Sequence, residues 1–284
     1  MVAVREVRRV LTARPTREGA GVRLRRVFGE VSAELDPFLL LDDFGSDDPA
    51  DYLAGFPWHP HRGIETITWM LAGEVAHGDS LGNRGVIGPG EVQWMTAGAG
   101  IIHQEMPRAA ARLRGFQLWA NLPRSHKLMP PRYREVKAGD IPRVRPAAGV
   151  EVALVCGRLG GQTGPVTDIV TAPTYLELRL EPGAEVELPL ADGHNALVYV
   201  HEGGLRPAGG GPQADAGQAL VLSARGVFRA LAAEAGARCL LASGQPLGEP
   251  VAWGGPIVMN TQAELDQAFQ EYQAGTFLDR TRRP

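Results

Sequence analysis

The chain has 284 residues, 44% of them hydrophobic and 21% charged, with a net charge of -3 and a pI near 6.2. This is a globular composition, not a disordered or fibrous one, and the charge gives no long-range attraction to nucleic acid or to an anionic membrane. No run reaches the ~18 consecutive apolar residues of a membrane span, and two cysteines, Cys156 and Cys239, cannot build a disulfide framework, so a reducing, cytoplasmic setting is expected.

The N-terminal MVAVREVRRV lacks the apolar run of a secretory signal. VREVRRV, Val4 to Val10, and RLRRV, Arg23 to Val27, alternate basic with apolar residues, the pattern of strands with one solvated face. Short alternating segments then recur: IETITWMLAGEV, EVQWMTAG, RGFQLWANLP, VEVALVCGRL, TYLELRLEPGAEVELPL and NALVYVHEGG. Strands this short, bounded by Gly, Pro and Asp, predict an all-β protein built of sandwiches or barrels. The Pro-, Gly- and charge-rich stretch Arg134 to Glu151 suggests a linker, and so two domains, 1–136 and 137–284. One helix is predicted at the C-terminus, in TQAELDQAFQEYQAG, with Thr261 and Glu264 as a capping box and Gly275 as its stop.

Two stretches carry chemistry. In GFPWHPHRGIETITWM, His59 and His61 stand two residues apart around Pro60. On a strand, residues i and i+2 share a face with Cα atoms about 7 Å apart, a spacing that suits two ligands on one ion. TAGAGIIHQEMP repeats the pattern with His103 and Glu105. Two such pairs on facing strands can surround a divalent metal with three imidazoles and a carboxylate. Such a set suits Fe(II), Mn(II), Ni(II) or Cu(II), with Co and Zn as further candidates, and leaves positions open for substrate or O₂. Glu65 shares the parity of His61 and is expected beside the ligands, not among them. Trp58, Met70, Trp94 and Met95 are candidate pocket walls. His77 is expected in a polar loop, while His126, His194 and His201 are isolated.

With these residues in view, the chain resembles the pirins, a family of the cupin superfamily. The resemblance is carried by DPFLLLDDFG, by HPHRG-x-ET and TAG-x-GI-x-H-x-E-x-P, and by GEPVAWGGPIVMNT, and it runs over nearly the whole chain. It implies a bicupin of two stacked β-barrels with a short C-terminal helix, and one iron in the N-terminal barrel at the positions of His59, His61, His103 and Glu105. It implies that Glu65 is not a ligand. It also implies an activity like that of quercetin 2,3-dioxygenases, opening a flavonol ring with O₂, although other family members are similar to transcriptional co-regulators or bind metabolic enzymes.

Aligning the two halves sets His59 and His61 opposite Pro189 and Ala191, and His103 and Glu105 opposite Ala230 and Ala232. One metal per chain is therefore expected. The leading expectation is a dioxygenase acting on a small aromatic or enolic substrate with O₂, with Glu105 as the base that takes the substrate's hydroxyl proton. The alternatives are an iron-dependent redox-sensing interaction protein with a protein partner, and a cupin isomerase or decarboxylase in which Arg62 and Arg84 cradle an anion. Direct nucleic-acid binding and membrane association are not expected.

Overall fold

In the computed structural model, which describes residues 3–281, the alternating segments form strands, and the chain folds as two cupin-like β units. The strands before residue 137 are β1 (Val7–Thr12), β2 (Arg14–Glu18), β3 (Val22–Gly29), β4 (Phe38–Ser46), β5 (Phe56–His61), β6 (Ile64–Ala72), β7 (Val75–Asp79), β8 (Arg84–Ile87), β9 (Val92–Thr96), β10 (Ile101–Pro107), β11 (Leu113–Asn121) and β12 (Arg132–Val136). The units are not contiguous in sequence, as a single cut at 136/137 makes them. The first comprises Pro15–Val31, Phe38–Ala138 and the chain from Gly248 onward; the second comprises the chain up to Arg14, Ser32–Pro37 and Gly139–Leu247.

The first unit has a seven-stranded sheet in the order β12-β9-β6-β11-β4-β3-β2 and a four-stranded sheet in the order β5-β10-β7-β8. Val22, Leu24, Phe44, Met70 and Leu113 of the large sheet pack with Val75 and Ile87 of the small one in one apolar cluster. Each such side chain contributes roughly 1.5–3 kcal/mol by leaving water. The C-terminal arm belongs to this unit: a hairpin, Ala252–Gly254 with Ile257–Met259, leads into helix α1 (Gln262–Gln273). The capping box of Thr261 and Glu264 is formed. Ile257, Met259, Leu265, Ala268 and Phe277 share a cluster against which Ile102 of β10 packs, and this contact draws the helix to the first unit.

The second unit is a nine-stranded sheet whose inward residues, Ala230 and Ala232 among them, form a wholly apolar cluster. Strand β1 joins it by pairing with Gln218–Leu222. Arg5 departs from the solvated-face reading of the N-terminal basic run. It is buried, and its guanidinium donates to the carbonyls of Ala191, His194, Ser223 and Gly226 at 2.7–3.0 Å. A planar fork with five N–H groups can staple loop carbonyls in this way, and the pattern of alternation carries no sign of it. Both cysteines are buried thiols.

Candidate metal centre

The small sheet brings the two histidine stretches together. Strands β5 and β10 are antiparallel, with His59 opposite His103 and His61 opposite Ile101. A register shift between His103 and Glu105 bends β10 where the two candidate ligands sit, and a bulge of this kind re-aims side chains. The ligand atoms of His59, His61 and His103 lie within 4.8 Å of one another. Glu105 stands outside this trio but opens onto the same cavity, its Oε1 accepting from the Thr68 hydroxyl at 3.0 Å.

The hydrogen bonds decide which imidazole atoms are free. His59 Nδ1 lies 2.8 Å from the Pro57 carbonyl, and His61 Nδ1 lies 3.0 Å from the Pro256 carbonyl. A carbonyl only accepts, so each Nδ1 carries the hydrogen and each Nε2 presents a lone pair. Those two Nε2 atoms face each other at 3.1 Å. Both nitrogens of His103 are buried with no hydrogen-bond partner. Such a set of converging, unprotonated nitrogens is satisfied by a cation and by little else. Burial, and less so the neighbouring His59, bring the pKa of His61 down to about 3, and burial lowers those of His59 and His103, so all three rings are neutral at pH 7. Burial raises the Glu105 carboxyl to about 7.

The turn that follows the histidines is held from several sides. Arg62 donates to Ala99 O at 2.6 Å, to Glu271 at 2.6 Å and to Phe277 O at 2.8 Å, and stacks 4.1 Å above the Phe277 ring. It is buried and fully engaged in the C-terminal arm, so it is not the anion cradle that an isomerase reading calls for. Gly63 has a φ of 77°, and a Cβ there would strike the Val258 carbonyl. Lys127 donates to Gly63 O, Val258 O and Asn121 Oδ1 at 2.5–2.9 Å.

This turn also settles Glu65. The parity shared with His61 assumes one continuous strand, but Gly63 ends β5 and β6 begins a new sheet. Thr68, three residues from Glu65, points into the cavity, so Glu65 points to the opposite face, buried, with Oε1 accepting from Thr96 at 2.6 Å. Trp94, opposite Ile67, shares the face of Glu65. Met70 and Met95 lie in apolar clusters, and of the expected wall residues Trp58 lines the cavity. His77 is on β7, not in a loop. It is buried, with Nδ1 2.5 Å from the Tyr133 hydroxyl and Nε2 2.8 Å from Glu135.

The cavity has a volume of about 790 Å³. His59, His61 and Glu105 open into it beside Phe44, Phe56, Trp58, Trp119 and Trp253, and Arg26, Asp42 and Gln117 also line it. The Trp119 ring stands edge-on to His61 at 5.1 Å between centroids. Thr68, Gln117, Asp42, Trp119 and Trp253 escape the sequence reading. The available signal was a polar pair, Thr66 and Thr68, at the inward parity of a strand that also buries Ile64 and Met70.

Residues 21–120 match the family model described as Pirin, and residues 175–278 match the Pirin C-terminal cupin domain. The chain belongs to the pirin family. Among pirin relatives, a Pseudomonas aeruginosa protein named, provisionally, a quercetin 2,3-dioxygenase is 48% identical over 97% of this chain and 99% of its own length. A pirin-like protein of Caulobacter vibrioides is 45% identical over 96% and 99%. The crystal structure of a quercetin 2,3-dioxygenase from Acinetobacter baumannii superposes with a TM-score of 0.89 at 33% identity, covering 97% of this chain and 99% of that one. A bacterial pirin from Escherichia coli, solved in complex with nickel(II), is 21% identical with a TM-score of 0.63, covers 87% of this chain and 99% of its own, and shares the fold.

Proposed function

We propose that this pirin is a metal-dependent dioxygenase that opens the ring of a flavonol, such as quercetin, or a related enolic aromatic, with Fe(II) held by His59, His61, His103 and Glu105. The observation that carries the reading is the pair of facing Nε2 lone pairs on His59 and His61, set at the wall of a cavity of about 790 Å³. That volume suits a multi-ring small molecule. When bound, the ion supplies Lewis acidity toward a substrate oxyanion and the redox chemistry that O₂ requires.

The chain's own residues supply the remainder. Phe44, Trp58, Trp119 and Trp253 offer apolar and aromatic walls to a planar ring system. Glu105, a carboxylate that opens onto the cavity beside the histidines, takes the proton of the substrate's enolic hydroxyl onto a carboxylate oxygen as it shifts off the ion. The Thr68 hydroxyl steadies that carboxylate. The Nδ1–H bonds to Pro57 and Pro256 fix the tautomers of His59 and His61 and leave Nε2 free.

The test is oxygen uptake with quercetin by anaerobically purified, iron-loaded protein, with His61→Ala as control. Metal-dependent uptake lost in the variant supports the reading. No uptake by fully loaded protein overturns it.

A further inference from the structure

A row of polar side chains crosses the inner face of the large sheet. Arg26 of β3 is opposite Asp42 of β4, Asp42 is opposite Gln117 of β11, and Gln117 is opposite Thr68 of β6. Residues directly opposed in antiparallel strands project to the same face, so the four form one line among apolar neighbours such as Leu24, Phe44, Met70 and Leu113. Glu105, arriving from the small sheet, meets the end of the line at Thr68. The Thr68 Oγ1 atom is 3.0 Å from Glu105 Oε1 and 2.6 Å from the atom placed as Gln117 Oε1, so with the amide in this orientation the hydroxyl faces two acceptors.

Hydrogen counting gives this line a direction. A threonine hydroxyl owns one hydrogen, and an ionised carboxylate can only accept, so beside a metal-holding Glu105 the Thr68 hydrogen goes to the carboxylate. The short contact to Gln117 is then a hydrogen bond only if the amide presents its Nε2–H and not its oxygen to Thr68. The amide orientation is set by the network it serves, and this network selects nitrogen. With the amide turned over from that orientation, the order is Gln117 Nε2–H to Thr68 Oγ1–H to Glu105 Oε1. At the other end Asp42 is clamped by Arg26 at 2.8 and 2.9 Å, and Arg26 is held in turn by Glu18 at 2.8 Å, so the row is anchored there.

Resting on the reading of Glu105 as a ligand, we propose that Thr68 and Gln117 are positioning residues: the amide orients the hydroxyl, and the hydroxyl holds the carboxylate of Glu105 toward the ion. Neither touches the three histidines in this scheme, and both act through Glu105.

Co(II) titration of the apo protein, followed by its visible absorption, tests this without any turnover. The variants are Thr68→Val, Thr68→Ser, Gln117→Met, the Thr68→Val/Gln117→Met double and Glu105→Ala. Thr68→Val is expected to weaken Co(II) binding about tenfold or more and to shift the Co(II) spectrum. Thr68→Ser, which keeps the hydroxyl, restores both, a rescue that loss of packing alone does not predict. Gln117→Met weakens binding less, and the double variant is no worse than Thr68→Val, because the amide acts only through the hydroxyl. Wild-type affinity and spectrum in both Thr68→Val and Gln117→Met overturn the proposal, as do additive losses in the double. Should Thr68→Val not fold, Gln117→Met with an unshifted spectrum and affinity overturns it alone. Glu105→Ala separates the two levels: wild-type affinity there removes Glu105 as a ligand, whereas loss there with none in the other variants leaves the ligand reading intact and removes only the positioning chain.

Discussion

The Nε2 atoms of His59 and His61 face each other at 3.1 Å, and both rings have spent their hydrogens on carbonyls at the opposite nitrogen. Two lone pairs at that distance repel unless a cation lies between them. Metal binding therefore stabilises the first unit by relieving a contact as well as by forming bonds. At free Co(II) a hundredfold above its Kd, the folded state gains about 2.7 kcal/mol. Calorimetric unfolding with and without Co(II) measures the gain, and in His61→Ala the metal-dependent rise in Tm should largely vanish.

The pH dependence of metal uptake should belong to Glu105 and not to the histidines. With the His61 pKa at about 3 and those of His59 and His103 lowered by burial, the imidazoles are neutral at neutral pH and have little proton to lose there. Glu105, raised to about 7, is protonated in the apo protein at pH 6 and must release that proton to coordinate. Titration calorimetry in buffers of different ionisation enthalpy should find about one proton released at pH 6 and close to none at pH 8.5. The same group sets a stability trend with a definite sign. A carboxyl whose folded pKa lies above its unfolded value contributes stability below pH 4.5 and loses it as pH rises through 7, at most about 3 kcal/mol.

Arg62 ties the turn after the candidate ligands to the C-terminal arm, and its removal leaves Ala99 O and Phe277 O without this donor and Glu271 with Arg280 and Gln267 alone. Breaking a fully buried pair from one side costs roughly 3–5 kcal/mol, and the partly exposed Glu271, still paired with Arg280, places this case below that range. Arg62→Met should therefore lower Tm by several degrees and loosen the arm, read as faster amide exchange in α1. Glu271→Gln, with the amide still able to accept from Arg62, should cost less.

The candidate ligands were legible in the sequence because HPH and HQE place ligand-type side chains at strand parity, a local property. So was α1, whose capping box and closing Gly275 are local signals too. Glu65 shows where parity stops: a single left-handed glycine at position 63 ends the strand, and every alternation counted through it changes face. The Arg26–Asp42–Gln117–Thr68 row is set by register among four strands drawn from positions 22 to 121. Nothing in any one of those segments specifies it. The buried roles of Arg5 and Lys127 were hidden for a related reason, since their partners are carbonyls, which every residue has. The pairing of β1 with Gln218–Leu222 is non-local in the same way, and no composition shift announces it.

Gly85 marks a place where the fold has made room for two side chains. A Cβ at this position would collide with both His77 Nε2 and Glu135 Oε1. Its backbone needs no special conformation, so the demand for glycine is steric and comes from the His77–Glu135 pair, which stand 2.8 Å apart. Gly85→Ala must separate that pair and with it the Tyr133–His77 hydrogen bond of 2.5 Å. Overpacking of this kind costs roughly 1–3 kcal/mol. His77 lies opposite Glu105 in the β7–β10 register but is not one of the three clustered imidazoles. The expected outcome is therefore a lower Tm with Co(II) affinity unchanged within about twofold. Loss of Co(II) binding in Gly85→Ala, with the Tm preserved, would instead make the Glu135–His77–Tyr133 cluster part of the metal centre.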